Sequence, residues 1–406
     1  MTNNPNQSES VPGGNERFEE IGQGCYAYSA DGFSNTGVVI GERGVLIIDG
    51  QATPEHAGRV LKKVRALTDK PVKQIVLTHF HADNTLGAPA FEPGEILASD
   101  LTRRMMDTRG PEDILLSKER SPALFSSLPA AATVSLPSMT IASSMSIDLG
   151  GIEVRLMHLG RAHTMGDVVV WVPASSVIFA GDLVQTSAIP YCGDAHLTDW
   201  PRALDRITAF RPTALVPGRG RSAKGTAAVA QAVETTRDFV TTLRDAAAAC
   251  VEQSLGLKDT FDSVKDALAP QFGSKADFEM HLPFNVARAY DEALGLDQPQ
   301  IWTRERCADL RDALGGVVVA HLPQETVAEP SVEEMHEAVQ AQLVSDNEFA
   351  ASLADDPDAQ TSGDGETLDL SSEDIVDTTP DDQAPTAPEN EETVAEEPEI
   401  LLEGVR

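Results

Sequence analysis

The sequence has few basic residues, few aromatic residues and no long apolar run. Its 406 residues include 31 Lys and Arg against 64 Asp and Glu, for a net charge of −33, and aromatic residues make up 5%. Phosphate repels so acidic a chain, so we expect no nucleic-acid partner. No apolar run reaches the roughly 18 residues of a membrane span, and the first 16 residues lack the Lys or Arg and the apolar stretch of a signal peptide.

Cysteine is also scarce. The four cysteines, Cys25, Cys192, Cys250 and Cys307, are scattered without the spacing of a metal site or a redox pair. Free thiols of this kind are typical of a reducing compartment. We therefore expect a cytoplasmic protein without disulfides and with no membrane partner.

Most of the negative charge lies near the C-terminal end of the chain. Residues 322–406 hold 25 of the 64 acidic residues and one of the 31 basic residues. Such a segment cannot bury enough apolar area to offset the chain entropy lost on ordering. We predict an acidic disordered tail at 345–406, which would keep the protein soluble or dock a basic partner, and a short helix at 332–344.

A metal-ligand pattern follows a predicted strand at residues 74–77. The chain continues as Thr-His-Phe-His-Ala-Asp-Asn over residues 78–84. In extended backbone His79 and His81 project to the same side, and Asp83 follows two residues later, so both imidazoles could reach one ion. Imidazole is a good ligand for zinc, iron and copper, and carboxylate oxygens complete a hard or borderline site.

Three later segments place further ligand types near predicted strands. His163 lies in the segment 160–167 just before the strand 168–172, Asp182 ends the strand 177–182, and Arg219 lies in a Gly-rich loop after another strand. Most of these residues lie at the carboxyl end of an apolar run, where loops can converge on one site.

This order of motifs, over roughly residues 17–225, resembles the metallo-β-lactamase superfamily, especially its glyoxalase-II-like members. The resemblance implies an α/β fold, a four-layer αββα sandwich of two facing sheets with helices outside. It also implies that His79, His81 and His163 hold one metal ion, that Asp182 bridges to a second site, and that Asp83 serves the second site.

Two positions depart from the second metal site of that family. Asn84 stands where many members have a histidine directly after the acid, and Arg219 stands in place of a late histidine. An amide is a poor ligand for a transition metal, and a guanidinium cannot act as one. We expect one well-held ion, with Arg219 placing its charge at the second site and pairing with Asp83 or an anionic substrate group. The alternative is an Arg219 that points to solvent.

The predicted function is hydrolysis of an ester, thioester, lactone or amide by a metal-bound hydroxide, with one zinc ion. Zinc lowers the pKa of its bound water to about 7. Asp83 would orient the hydroxide or act as general base, and Arg219 would stabilise the developing charge. One alternative is an iron oxidoreductase that resembles the persulfide dioxygenases, with His79, His163 and Asp182 as ligands. Another is a non-catalytic protein with a relic metal site.

Other polar residues receive weaker predictions. His196, in the loop 190–196, and Asn84 are candidates for substrate contact, although His196 could equally lie on the surface or lend a metal ligand. We place His56 on an exposed helix face and assign His281 no chemistry. Arg103, Arg104 and Arg109 suggest a solvated helix face or, alternatively, a positive lip for an anionic substrate.

We divide the chain into a disordered N-terminus (1–16), a metallo-β-lactamase-like domain (17–225), a helical C-terminal extension (226–344) and the tail. Apolar residues at helical spacing predict helices near 229–251, 255–273 and 277–294 in the extension. These helices would extend the core or mediate self-association, so a homo-oligomer stays open. The expected partner is a small-molecule substrate.

Overall fold

The structure, a computed structural model, describes residues 13–316. The predictions made for residues 1–12, for the helix at 332–344 and for the tail at 345–406 therefore lie outside the described residues. The described part contains two β-sheets and eight α-helices.

The first sheet has seven strands in sequence order, antiparallel from the first to the fourth and parallel from the fourth to the seventh. They are β1 (Arg17–Gly22), β2 (Cys25–Ser29), β3 (Thr36–Ile40), β4 (Val45–Ile48), β5 (Val72–Val76), β6 (Glu95–Ser99) and β7 (Met139–Ile141).

The second sheet has six strands, also neighbours in sequence order, and a single parallel pair between its fourth and fifth strands. They are β8 (Ser144–Asp148), β9 (Glu153–His158), β10 (Val168–Val172), β11 (Val177–Gly181), β12 (Ala214–Pro217) and β13 (Ala223–Lys224). The helices are α1 (Pro54–Arg65), α2 (Ala82–Thr85), α3 (Asp100–Arg120), α4 (Trp200–Ala209), α5 (Thr226–Glu252), α6 (Leu257–Phe272), α7 (Phe278–Ala293) and α8 (Arg304–Ala313).

The central strands bury both faces, which explains why they read as continuous apolar runs. In β10, Val168 and Val170 join the cluster between the sheets, whereas Val169 and Trp171 join the cluster on the outer face. Side chains alternate between faces along a strand, so a strand covered on both sides needs apolar residues at every position. The two sheets therefore face each other with helices outside, and the predicted αββα sandwich is confirmed.

The helices cover the outer faces of the two sheets. Residues of α1 and α3 pack with the outer face of the first sheet, and residues of α4 to α8 pack with the outer face of the second. The predicted helices of the extension are present as α5, α6 and α7, and they share one hydrophobic cluster with β10 and β11. The described residues lie within one compact unit. The boundary at 225/226 stays a prediction.

The residues that precede α1 and α4 have different roles. Thr53 caps α1, because its hydroxyl accepts a hydrogen bond from the His56 backbone N–H at 3.2 Å. Asp199 stands at the N-cap of α4, but its carboxylate accepts hydrogen bonds from Arg161 instead of capping the helix. His56 was predicted to be exposed, and this is wrong: its ring is buried and stacks on Phe33 at 4.0 Å.

Among the described residues, no helix combines the length and the apolar character that a membrane crossing requires. The cytoplasmic location stays a prediction.

Candidate metal centre

Three histidines from two loops meet at one end of the sandwich. His79 and His81 follow β5, and His163 lies in the loop between β9 and β10. One ring nitrogen from each residue lies within 4.8 Å of the other two, and all three side chains are buried. The loops are joined by a hydrogen bond of 2.8 Å from the Val168 backbone N–H to the Thr78 carbonyl. The structure thus brings together the three histidines that the sequence predicts as ligands.

The outward-facing nitrogen of each ring already has a hydrogen-bond partner. His163 Nδ1 lies 3.0 Å from the Tyr191 carbonyl oxygen, and His81 Nε2 lies 3.2 Å from an Asp194 carboxylate oxygen. Both partners accept hydrogen bonds, so these ring nitrogens carry the hydrogen. His79 Nδ1 lies 3.0 Å from the Thr78 hydroxyl, which itself donates to Asp49 and is free to accept. Such partners fix the tautomer and aim the other nitrogen at a metal.

The inward nitrogens are therefore lone-pair donors that point at one another. His79 Nε2 is buried without a hydrogen-bond partner among the described residues, and His81 Nδ1 lies 3.0 Å from His163 Nε2. Two lone pairs at this distance repel unless a proton or a metal ion lies between them. Burial, followed by the neighbouring histidines, lowers the pKa of His79 and His163 well below 6.5, which keeps both rings neutral as metal ligands must be. The donor set fits a metal ion.

Asp182 lies beside this cluster at the end of β11. One carboxylate oxygen is 3.8 Å from His163 Nε2, and the other is buried without a hydrogen-bond partner among the described residues. Burial raises the pKa of the Asp182 carboxyl to about 6, although Arg219 opposes the shift. A Cβ atom at Gly218 would lie 1.9 Å from this carboxylate, so only glycine leaves room for it. Asp182 thus lies next to His163, but it is not part of the group of ligand atoms that lie within 4.8 Å of one another.

Asp83 forms an ion pair with Arg219. The guanidinium donates to the Asp83 carboxylate, and the Ser34 hydroxyl oxygen lies 3.0 Å from the same carboxylate oxygen. Both side chains are mostly buried, at 14% and 16% exposure. Burial alone would raise the pKa of Asp83, but Arg219, His81 and His79 outweigh it and hold that pKa below its ordinary value. The pair places a fixed positive charge next to the histidine cluster.

The two predicted substrate contacts lie elsewhere. Asn84 is fully buried: its amide oxygen accepts from Ser34 at 2.8 Å, and its amide nitrogen donates to Asp49 at 3.3 Å. His196 is 2% exposed, and burial, followed by Arg161 and Arg288, lowers its pKa to about 4. Neither residue lines the cavity next to the histidines. Contact with a substrate would require a change of conformation.

A cavity of about 610 Å³ opens onto the centre. Its polar lining includes His81, Asp83, Asp182, Arg219 and four residues without a predicted role: Arg120, Tyr191, Gln185 and His281. Its apolar lining includes Phe33, Pro122, Leu124, Phe125, Ile189 and Met280. The volume suits a small molecule that has both polar and apolar parts.

The C-terminal helices hold the loop that orients the histidines. The Asn285 side chain accepts a hydrogen bond from the Cys192 backbone N–H at 2.6 Å and donates to the Pro190 carbonyl at 2.9 Å. Arg288 donates to the Ala195 carbonyl at 2.6 Å, and Trp302 donates to the Gly193 carbonyl at 3.1 Å. The extension therefore positions loop 190–196, whose Tyr191 carbonyl and Asp194 carboxylate contact two of the histidines.

Sequence reasoning missed the residues that support the ligands. The Asp194 carboxylate accepts hydrogen bonds from His81 and from Arg109. Arg109 is 85 residues away in the sequence, and its Nη1 atom lies 2.9 Å from the carboxylate. Asp49, with a positive φ of 63° after β4, accepts from both the backbone and the hydroxyl of Thr78 at 2.8 Å. Neither acid lies in a recognisable motif. The only available signal for Asp194 was its position in the loop 190–196, where His196 drew the prediction instead.

A two-sheet αββα sandwich with buried histidines at the strand ends defines a metal-binding protein of the layered α/β class. Residues 30–219 match the model of the metallo-beta-lactamase superfamily. The resemblance inferred from the sequence is confirmed.

Two curated relatives carry the names of hydrolytic enzymes. A linear primary-alkylsulfatase from Pseudomonas sp. is 23% identical over 257 residues, which cover 55% of this chain and 48% of the relative. A metallo-beta-lactamase type 2 from Bacteroides fragilis is 32% identical over 90 residues, which cover 21% of this chain and 36% of the relative. The chain thus spans about half the length of the first relative and about a third of the second.

One solved structure shares the fold over most of the described residues. It is a stereoselective inverting sec-alkylsulfatase from Pseudomonas sp., with a TM-score of 0.55 and 17% sequence identity over 70% of this chain and 50% of that chain. At this identity the likeness shows the fold alone.

Proposed function

We propose that this protein is a metal-dependent hydrolase that acts on an ester, thioester, lactone or amide with one well-held zinc ion. The observation that carries the proposal is the convergence of three imidazole lone pairs, from His79, His81 and His163, beside a cavity of about 610 Å³. Three histidines with an open position form a ligand set of catalytic zinc. Zinc bound there would supply an activated water and a Lewis acid.

The two acids beside the histidines, Asp182 and Asp83, have different roles in this proposal. Asp182 faces His163 at 3.8 Å, and burial raises its pKa to about 6, so it can accept a proton near neutral pH or complete the ligand set. Asp83 stays charged because Arg219 pairs with it. We therefore give Asp83 the role of orienting the attacking water by accepting its hydrogen bond. The sequence left two roles open for Asp83, which were to orient the hydroxide or to act as general base, and this proposal assigns the first.

Arg219 takes the place of a second metal ion in this proposal. Its guanidinium contacts Asp83, the residue that would otherwise serve a second ion, and the amide of Asn84 already has two hydrogen-bond partners. A guanidinium is permanently charged and its planar fork suits oxyanions, so Arg219 can stabilise negative charge that develops on the substrate.

The named relatives add one substrate class to the candidates. One curated relative is a linear primary-alkylsulfatase, so sulfate esters belong in the substrate panel. An iron-dependent oxidoreductase is the second candidate. Its two-histidine, one-carboxylate ligand set would be His79, His163 and Asp182, and Asp182 lies 3.8 Å from His163.

The test combines metal analysis with a substrate panel. Protein purified without chelator should contain about one zinc per chain, hydrolyse at least one member of a panel of carboxylic esters, thioesters, lactones, amides and sulfate esters, lose turnover on chelation and regain it with zinc. His163→Gln should lose metal and turnover together. His158→Gln, on β9 and outside the cluster, is the matched control. About one iron per chain with oxygen consumption would favour the oxidoreductase, and failure to retain any metal after reconstitution would favour a relic site.

A further inference from the structure

The last residue of α3, Arg120, presents a positive charge to the cavity without a carboxylate partner. Its guanidinium lies over the Tyr191 ring, 4.5 Å from the ring centre, and 5.5 Å from the centre of Phe284. Its side chain donates to the Ser117 hydroxyl at 3.2 Å. Within residues 13–316, no carboxylate oxygen lies within 4.0 Å of its nitrogens. Most of its donors are therefore available.

Comparable arginines near the centre are all paired. Arg109 contacts Asp194, Arg219 contacts Asp83, and Arg288 contacts Glu292. A partly buried guanidinium loses hydration, and this cost is normally offset by a carboxylate or by several hydrogen bonds. Aromatic faces offset part of it at Arg120. The exception among these four arginines is Arg120, which lines the cavity and has no carboxylate oxygen of the described residues within 4.0 Å.

The position of Arg120 links it to the histidine cluster through one aromatic ring. Tyr191 lies 5.5 Å from His81, ring centre to ring centre, and its ring also contacts Arg120, His281 and Phe284. His281, 5.4 Å from the same ring, has a buried Nδ1 without a hydrogen-bond partner among the described residues. Arg120, His281 and His81 all line the same cavity. A ligand of modest size can reach the metal centre and Arg120 at once.

We infer that Arg120, together with His281, binds an oxyanion of the substrate. The ligand class is an amphiphilic ester that carries a carboxylate or sulfate group, because the planar fork of arginine matches both oxyanions. The apolar part of such a ligand would pack on Leu124, Phe125 and Met280, which line the cavity near Arg120. The kinetic test of this inference rests on the proposed hydrolytic function, whereas the binding test does not.

The binding test uses anions that are not hydrolysed. Calorimetric titration of metal-loaded protein with hexanoate, with hexane-1-sulfonate as a stable analogue of a sulfate ester, and with neutral 1-hexanol should show binding of at least one anion, and Arg120→Gln should weaken that binding roughly 10- to 100-fold, as expected for a hydrogen-bonded charge pair. Binding of hexanol should be unchanged. Arg104→Gln, on the exposed face of the same helix, is the matched control for loss of charge. The comparison of the two anions distinguishes a carboxylate site from a sulfate site.

The kinetic test compares esters that differ in charge. For mono(4-nitrophenyl) glutarate, Arg120→Gln should lower kcat/KM roughly 10- to 100-fold, mainly through KM, whereas for neutral 4-nitrophenyl pentanoate the change should stay within about threefold. Arg120→Lys keeps the charge without the fork and should recover part of the loss, and it serves as the readout if the glutamine variant does not fold.

Anion binding that Arg120→Gln and Arg120→Lys leave intact would overturn the inference, as would equal losses for both esters. If no ester is hydrolysed but the anion binds through Arg120, the subsite stands and the hydrolytic function fails.

Discussion

Replacing Asp194 by Asn should weaken metal binding without removing a ligand. The carboxylate of Asp194 lies 3.2 Å from His81 Nε2 and 2.9 Å from Arg109 Nη1, one oxygen to each partner. It is 5% exposed, so water cannot replace a lost contact. Asparagine has the same shape but one acceptor oxygen and no charge, so it cannot serve His81 and Arg109 together.

The expected loss follows from this geometry. A hydrogen bond to a charged group contributes about 1.5–3 kcal/mol, and loss of an outer partner of a metal-bound histidine typically costs about 10- to 100-fold in affinity. Each tenfold change in Kd corresponds to about 1.4 kcal/mol. We therefore expect the zinc Kd of Asp194→Asn to rise roughly 10- to 100-fold, while about one zinc per chain still binds at saturating metal.

Competition with a zinc chelator of known affinity at neutral pH measures this Kd. Asp148→Asn is the matched control, because Asp148 is 61% exposed and its ion pair with Arg43 lies at the surface. An unchanged Kd in Asp194→Asn would refute the claim that Asp194 orients His81. Equal losses in both variants would mean that a general change of charge, rather than this contact, sets the affinity.

Further expectations concern other parts of the chain. Arg219→His should raise the metal content from about one to about two ions per chain by elemental analysis, because it replaces a charge with a ligand; a single ion would mean that this loop does not face the second site. Asp83→Asn should lower kcat at least about 100-fold while metal content stays constant, and unchanged kcat would remove Asp83 from the mechanism. His196, whose pKa is lowered to about 4 by burial and then by Arg161 and Arg288, is neutral in the folded state, so the unfolded state takes up its proton first as the pH falls below 6.5. As the pH falls from 6.5 to 4, protonation of this residue in the unfolded state should lower the free energy of unfolding by at most about 1.4 kcal/mol per pH unit. His196→Gln should flatten that slope in urea titrations, and an identical slope would contradict the assignment. Deleting residues 345–406 should leave the Tm and turnover nearly unchanged, and a collapse of either would show that the tail is structural.

Short sequence patterns were sufficient to predict the fold and the candidate metal ligands. His79 and His81 are two residues apart directly after a strand, so their relation is set by backbone geometry that any extended segment adopts. The apolar runs of β10 and β11 predicted strands buried on both faces, and the order of the strands and motifs predicted the superfamily, which the family match confirms. The helices α5 to α7 followed from apolar residues at helical spacing.

The wrong prediction for His56 and the missing predictions for Arg120 and His281 have one physical cause. His56 was placed on an exposed helix face because spacing on a helix reveals which residues share a face, but not which ring from another loop covers it; Phe33 does so here. For the same reason, the sequence predicted no role for Arg120 or His281. The packing of α3 and α7 brings both side chains to the Tyr191 ring.

What the sequence by itself determined is the chemistry of short segments: the histidine pair, the strands that carry it, and the residue types at the altered second site. Only the tertiary structure decided which distant groups meet these segments. Asp83 and Arg219 are 136 residues apart, and His81 and Asp194 are 113 apart. Contacts over such separations depend on how loops from both sheets and the C-terminal helices pack against each other, and no spacing within one segment encodes that packing.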